Sequence, residues 1–446
     1  MSAPAYIADL HLPHAAARPA CYGGAPLFAE PLPMVRPALP PAGRVLADFR
    51  ALLETGQLTN GRFVRRFEEE AARWLGVPEC VAVSSCTSGL LLVERCLGLA
   101  GSVIVPSFTF FATAHSLLWN RLEPVLADSD PATWNLDPQR VRQLLERPGG
   151  RRISAILAVH LFGNPAAVSE LEALAGRFGV RLIFDAAHAF GAHRDGRPVG
   201  GSGDAEVFSL SPTKTLVAGE GGLIATRRPE LAAALRAARN YGHDGDYDCA
   251  VLGLNARLTE FQAALALAGL AEVEAGLRRR RHLASIYEYY LAKEPGLALQ
   301  QSDPRDRTTR KDFSIVIDPE RFGVSRDFLY HALEQENVSV RRYFDPPLHR
   351  QRLYRRYYRP ELDRLTHAER LSRGVLSLPI YPLLGDRDAE VIARRILTIR
   401  DWASGRGVQA HPPQREAPAD LVVEARGWAP HDPQPANAFP GPRPEA

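Results

Sequence analysis

Two charged residues in this chain stand where charge is expensive. Lys214 lies in Glu206-Val-Phe-Ser-Leu-Ser-Pro-Thr-Lys-Thr-Leu-Val-Ala-Gly-Glu-Gly-Gly222, just after a short apolar run and just before a glycine-rich turn. Asp185 closes a second apolar run, Arg181-Leu-Ile-Phe-Asp185. Both runs read as buried strands, and an unpaired charge at the end of either would cost several kcal/mol. A lysine and a fixed anion in such positions suit a site that makes a Schiff base and holds a cationic ring beside a carboxylate. An opposite charge at close range stabilises the protonated ring by roughly 1–3 pKa units. His188, three residues after Asp185, is placed to bond the same ligand. Plain alternatives for these residues are an ion pair, a helix cap or core filling.

Further groups cluster around the same chemistry. Ser84-Ser-Cys-Thr-Ser-Gly89 follows a strand and opens a helix, where successive amides and hydroxyls make an anion site. Ser and Thr also cap helices that bind nothing. Ser209 and Lys214 are five apart on one segment and can meet a single phosphate. Val105-Pro-Ser-Phe-Thr-Phe-Phe-Ala-Thr113 puts aromatics directly after a strand, to stack on a planar cofactor or simply to pack.

The elements that must position these groups alternate along the chain. Strands are expected at Cys80–Val83, Val103–Val105, Pro124–Ala127, Ile156–Val159, Leu182–Phe184, Val207–Ser209 and Gly222–Ala225. They are short continuous apolar runs, as in strands covered on both faces. Helices are expected at Gly89–Leu99, Ala112–Trp119 and Ser169–Phe178. This is an α/β pattern with a mostly parallel sheet between helices, and such sheets bind ligands beyond the carboxyl ends of their strands. One long helix is expected over Leu258–Leu291, leading into a smaller C-terminal α/β domain. That domain is expected to hold strands Phe313–Ile317 and Val338–Val340 and helices Arg326–Gln335 and Asp386–Ile399. The expected division is an N-terminal extension over 1–40, partly disordered, a large domain over 41–280, a small one over 281–403 and a Pro-rich disordered tail over 404–446.

Bulk composition sets limits. Of 446 residues, 46% are hydrophobic and 24% charged, with a formal net charge of +3, too small and too dispersed to argue for nucleic acid. Arg278–Arg281 reads as a solvated helix face in preference to a phosphate patch. The five cysteines, an odd number without a CxxC, argue against a disulfide framework or a zinc site, and no metal is expected. With no signal peptide and no apolar run of the roughly 20 residues needed to span a membrane, the expected location is the cytoplasm.

Read together, the motifs resemble the DegT/DnrJ/EryC1/StrS aminotransferases, fold type I enzymes that act on sugars with pyridoxal phosphate. The matches run in order from about residue 50 to 400. They are Gly61-Arg-Phe-Val-Arg-Arg-Phe-Glu68, Ser84–Gly89, Pro106-Ser-Phe-Thr-Phe110, His160-Leu-Phe-Gly163, Asp185-Ala-Ala-His-Ala189, Pro212-Thr-Lys214, Gly219-Glu-Gly-Gly222, Gly253-Leu-Asn-Ala-Arg257 and Ser377-Leu-Pro379. The resemblance implies that Lys214 carries the cofactor and shuttles protons, and that Asp185 pairs with the pyridine nitrogen. It places Phe110 on the ring face, His188 beside the ring, and Cys86, Thr87 and Ser209 around the phosphate. Asn255 would reach the phosphate of a neighbouring subunit, which implies a homodimer with shared active sites. Thr59, Asn60, Asn240, Tyr241, Arg341, Tyr343 and His349 are the implied substrate contacts, with Arg341 or Arg342 suited to a diphosphate or a donor carboxylate.

Two positions depart from the family pattern. Cys86 stands where glycine is usual, and a thiol at a helix N-terminus would be reactive if the helix lowered its pKa. Thr215 stands where asparagine is common after the lysine. The lysine itself favours transamination, because relatives that dehydrate sugars carry histidine there. The implied reaction moves an amino group from glutamate or glutamine to a nucleoside-diphosphate-linked keto-deoxysugar. Rival readings are a keto-cyclitol acceptor, a dehydratase, and a cofactor-binding regulator without catalysis.

Overall fold

The apolar runs assemble into one seven-stranded sheet. In the computed structural model, which describes residues 17–147, 152–243, 245, 248–360 and 363–405, its strands are β1 (Glu79–Val83), β2 (Ser102–Pro106), β3 (Glu123–Ala127), β4 (Ile153–Val159) and β5 (Arg181–Asp185). A two-stranded hairpin, β6 (His193–Arg194) and β7 (Arg197–Pro198), lies outside the sheet, and β8 (Ala205–Ser209) and β9 (Gly222–Thr226) complete it. The spatial order is β1-β9-β8-β5-β4-β2-β3. Every neighbour pair is parallel except the two that β9 makes with β8 and β1.

Alternate residues of each strand enter opposite cores, as the pleat requires. In β5, Ile183 joins one core, and Leu182 and Phe184 join the other. In β8, Val207 and Phe208 separate in the same way. That double burial explains why the strands read as unbroken apolar runs.

The carboxyl ends of β5 and β8 lie side by side, with Asp185 paired to Val207 and Ser209 two residues further on. Because β9 runs the other way, its first residue, Gly222, lies at that same edge, opposite both Ser209 and Val83. A Cβ on Gly222 would come within 2.7 Å of the Cys86 amide nitrogen. Glycine is therefore what lets the strand approach the start of the helix Cys86–Cys96.

A second sheet, β10 (Leu297–Leu299), β11 (Phe313–Ile317) and β12 (Val375–Leu378), is antiparallel. It packs on the helices Val273–Leu291, Arg326–Gln335 and Asp386–Gly405. Its central strand serves two cores, since Val316 belongs with the large sheet while Ile315 and Ile317 do not. Residues 17–40 join the core of the small sheet through Cys21, Tyr22, Leu27, Phe28 and Leu32. The buried Glu336 carboxylate accepts the amides of Ala20 and Leu27. Residues 1–16, and the expected tail from 406 onward, lie outside the described residues; 404 and 405 end the last helix.

Two expected elements differ. The helix expected over Leu258–Leu291 is two helices, Glu260–Leu270 and Val273–Leu291, broken at Ala271 and Glu272. Val338–Val340 is buried but forms no ladder; Val338 makes one bridge to Leu32, and the next bridge is at Arg341.

One buried carboxylate fixes how the helices meet. Glu260 accepts the amides of Gly61, Phe63 and Val64 at 2.8, 2.8 and 3.1 Å, closing the N-terminus of the helix Arg62–Leu75. Those amides have no partner inside their own helix. Glu260→Ala is expected to destabilise the protein by about 2–4 kcal/mol, read from the urea midpoint. An unchanged midpoint would show that the three amides find other acceptors.

Candidate active site

At the carboxyl edge of the large sheet lies a cavity of about 340 Å³. Its wall includes Cys86, Thr87, Phe110, Asp185, His188, Ser209, Lys214 and Tyr343. These eight sequence-predicted residues come from five separate stretches of chain, and the topology brings them to one place.

Asp185 is the best-held group. Its Oδ2 accepts the Thr113 hydroxyl at 2.7 Å and its Oδ1 accepts the Ala187 amide at 3.0 Å. The Cys86 sulfur lies 3.8 Å from Oδ1 and 3.5 Å from the Val207 carbonyl. Burial and the Asp185 charge push the Cys86 thiol well above its ordinary pKa. Cys86 is thus a neutral thiol, and the reactive thiolate that a helix N-terminus would favour does not form. Behind Asp185, the buried His160 ring stacks on Phe184 and bonds Glu206 at 3.0 Å. Its other nitrogen accepts the Ala166 amide, so the proton sits on the nitrogen facing Glu206.

Lys214 has its pKa lowered to about 8, first by burial and then by the charge of Lys311. Asp312, Cys86 and Asp185 oppose that shift. An amine so placed is partly neutral near physiological pH and can act as a nucleophile and a base. His188 is pushed well below its ordinary range by burial, then by Lys214 and Lys311. Its Nδ1 accepts the Phe162 amide at 3.2 Å, which leaves the proton on Nε2. The neighbouring Thr215 donates its hydroxyl to the Phe190 carbonyl at 2.9 Å, tying the lysine loop to the turn that follows β5.

The anion site is divided between structure and ligand. Ser85 and Ser88 form a capping box, so their polar groups serve the helix Cys86–Cys96 itself. That leaves the amides of Cys86 and Thr87, which no intrahelical bond can use, together with the Thr87 hydroxyl. Phe110 is 44% exposed at the cavity mouth and packs against Phe111 with ring centroids 4.0 Å apart.

Other predicted contacts lie elsewhere in the chain. His349 is outside the cavity, buried, with its ring held by Ser107 at 2.6 Å and by Glu369 at 2.6 Å. Asn255 is exposed and bridges to Asn240, which accepts from Arg257 at 2.7 Å. Tyr241 is 53% exposed. Thr59 bridges to Thr259, and Asn60 takes a positive φ of 53° beside it. Arg341 lines a second groove of about 760 Å³ that shares Thr109, Phe110, Tyr343 and Phe344 with the cavity.

The model of the DegT/DnrJ/EryC1/StrS aminotransferase family matches residues 42–397. The chain belongs to this family. An Escherichia coli relative named dTDP-4-amino-4,6-dideoxy-D-glucose transaminase is 29% identical over 368 residues, 82% of this chain and 98% of its own. The structure of DesI determined in the presence of its TDP-sugar product is 39% identical with a TM-score of 0.80, covering 87% of this chain and 96% of that one. That of S. venezuelae DesV in complex with a ketimine intermediate is 34% identical with a TM-score of 0.74, covering 81% and 94%. The fold is that of the type I aminotransferases, and the protein is an aminotransferase.

Sequence reasoning missed three residues in the wall of this aminotransferase site. Thr113 holds Asp185. Lys311 and Asp312 enter the cavity at the start of β11 and bond each other at 2.7 Å. Thr113 offered a faint signal, one helical turn beyond Thr109. Lys311 and Asp312 offered only their charges at the edge of a predicted strand.

Among the described residues no helix is long and apolar enough to cross a membrane. All five cysteines have free thiols.

Proposed function

We propose that this aminotransferase moves an amino group from glutamate or glutamine to a nucleoside-diphosphate-linked keto-deoxysugar, with pyridoxal 5′-phosphate held at Lys214. The observation that carries the reading is a partly neutral lysine and a rigidly held carboxylate in the wall of one cavity. The residues fit the cofactor in three ways. Asp185 offers a buried anion for a protonated ring nitrogen, the start of the helix Cys86–Cys96 offers amides for a phosphate, and Phe110 offers an aromatic face. When bound, the cofactor supplies an electron sink for the carbon that loses or gains the amine.

This chain's own groups do the rest. Asp185 would keep the proton on the ring nitrogen. Thr87 and Ser209 would offer their hydroxyls to the phosphate. His188, neutral with its proton on Nε2, adds one hydrogen-bond donor without adding charge. Lys214 Nζ takes a proton from the donor's α-carbon and later returns one to the carbon that was the acceptor's carbonyl.

The nucleotide-sugar acceptor is supported by the names of the E. coli relative and of DesI's product. The groove holding Arg341 suits a diphosphate, because a guanidinium binds such oxygens in pairs. We further propose a homodimer in the cytoplasm. Asn255, among the exposed Tyr241, Leu252 and Leu254, would face the partner's phosphate site. Free thiols fit a reducing compartment.

The test uses the purified holoenzyme. Adding L-glutamate should replace the pyridoxal absorbance with that of the pyridoxamine form, and adding a nucleoside-diphosphate 4-ketohexose should reverse it. No change with glutamate or glutamine would remove the donor assignment. Reversal by a keto-cyclitol alone would remove the sugar.

A further inference from the structure

The reaction outlined above assigns no ligand to one buried ion pair in the cavity wall. Lys311 and Asp312 are each 4% exposed, and Lys311 Nζ lies 2.7 Å from Asp312 Oδ1. Both line the cavity with Lys214 and His188. Asp312 Oδ2 is buried without a hydrogen-bond partner.

The pair is rigidly mounted. Phe313 pairs with Leu378 in the small sheet, the Lys311 amide donates to the Phe162 carbonyl at 3.2 Å, and the Lys311 carbonyl accepts from Arg280. The Tyr343 ring lies beside the ammonium, 6.0 Å from its centroid. Stability alone is a poor reason to keep this arrangement. Apolar side chains of similar volume usually serve as well as a buried ion pair, and an unsatisfied buried oxygen is itself a cost.

An orphaned carboxylate oxygen beside an ammonium asks for a group that both donates and accepts a hydrogen bond. An alcohol does both. The carboxylates of an amino-acid donor only accept, and Asp312 repels them. We propose that Lys311 and Asp312 form a hydroxyl-recognition subsite for the amino acceptor. A hydroxyl near the carbonyl being aminated donates to Asp312 Oδ2 and accepts from Lys311 Nζ. This rests on the polyhydroxylated acceptor proposed above. A site built to bond a hydroxyl rejects the compound that lacks it, because its own polar groups are then left unpaired.

The test is a ratio, which cancels any change in the reactivity of Lys214. The holoenzyme is run in reverse with dTDP-4-amino-4,6-dideoxy-D-glucose and with the same compound lacking the 3-hydroxyl. The wild type should prefer the hydroxylated probe by at least about 100-fold in kcat/KM. In Lys311→Met/Asp312→Leu the preference should fall below about 3-fold. The same collapse should appear in Kd, read by calorimetry in a Lys214→Ala background where no turnover occurs. A merely structural pair would lower both probes together and leave the ratio intact, which would overturn the proposal. So would a wild type that does not discriminate.

If the double variant does not fold, Asp312→Asn carries the test, with at least a tenfold fall in the ratio expected. If the wild type ignores both nucleotide sugars, scyllo-inosamine and its deoxy analogue replace them. Discrimination there would sink the sugar reading and keep the subsite. Reaction with neither class would overturn the subsite itself.

Discussion

Lys214→Ala is expected to lower transamination at least about 10³-fold, since it removes both the nucleophile and the proton carrier. The glutamate-driven change in absorbance should disappear with it. Turnover at the normal rate would overturn the assignment. A second consequence comes from the lysine's surroundings. Its pKa is near 8 in the folded protein, against 10.5 for an ordinary lysine. Below pH 8 the amine is protonated both folded and unfolded, and the full cost of burying it, and of holding it near Lys311, is present. Between 8 and 10.5 the folded protein has released the proton while the unfolded chain still holds it, so stability contributed by this group rises with pH. Lys214→Met should therefore stabilise the cofactor-free protein by about 1–3 kcal/mol at pH 7 and by much less at pH 10.5, as measured by urea unfolding. An equal gain at both pH values would mean that packing is the cause. Function here is maintained against the interest of the fold.

Why Lys214 and Asp185 were legible in the sequence is now clear. Asp185 ends a strand buried on both faces and Lys214 lies five residues beyond another, where an unpaired charge is costly and a site is one reason to keep it. The strands of the large sheet were legible for the same reason, because double burial writes itself as an unbroken apolar run. Strand direction is not written that way. The reversal of β9 is invisible in Gly222–Thr226 itself, yet it delivers Gly222 to the start of the helix Cys86–Cys96. Short strands are hidden too: β10 has three residues, and β12 only overlaps a stretch noticed for its motif, Ser377-Leu-Pro379. The helix break at Ala271 and Glu272 has no proline or side-chain cap to announce it, and only Gly269 in the turn before it.

The site residues that escaped act across long stretches of sequence. Thr113 meets Asp185 across 72 positions, and His188 feels Lys311 only through the fold. His349 shows the converse. The family resemblance pointed it to substrate, but its ring is fully occupied by Ser107 and Glu369, a pairing no local pattern reveals.

Asp185 carries the other large effect, and its two variants should separate charge from structure. In Asp185→Asn the side-chain oxygen can still accept the Ala187 amide. The new amide group then faces Thr113, whose hydroxyl can turn to accept, since Thr109 stands 3.2 Å away as an alternative partner. The fold should survive with little loss. The charge does not survive, and an adjacent carboxylate is worth about 1–3 pKa units to a ring nitrogen. That nitrogen would then hold its proton only at lower pH. Lys214 pulls the other way, because below about 8 its amine is mostly protonated. The pH range in which both groups are in working form shrinks from its alkaline side, while Lys214 still sets the acid limit. The glutamate half-reaction of Asp185→Asn should fall at least about 100-fold at pH 8. Its optimum should move to lower pH and keep a lower maximum. In Asp185→Ala, Thr113 and the Ala187 amide also lose their acceptor, which adds about 1–3 kcal/mol of destabilisation to the same kinetic loss. The pH–rate profile decides the matter. If Asp185→Asn keeps the wild-type optimum and rate, the carboxylate does not hold a proton on the cofactor, and its bonds to Thr113 and Ala187 are all that it provides.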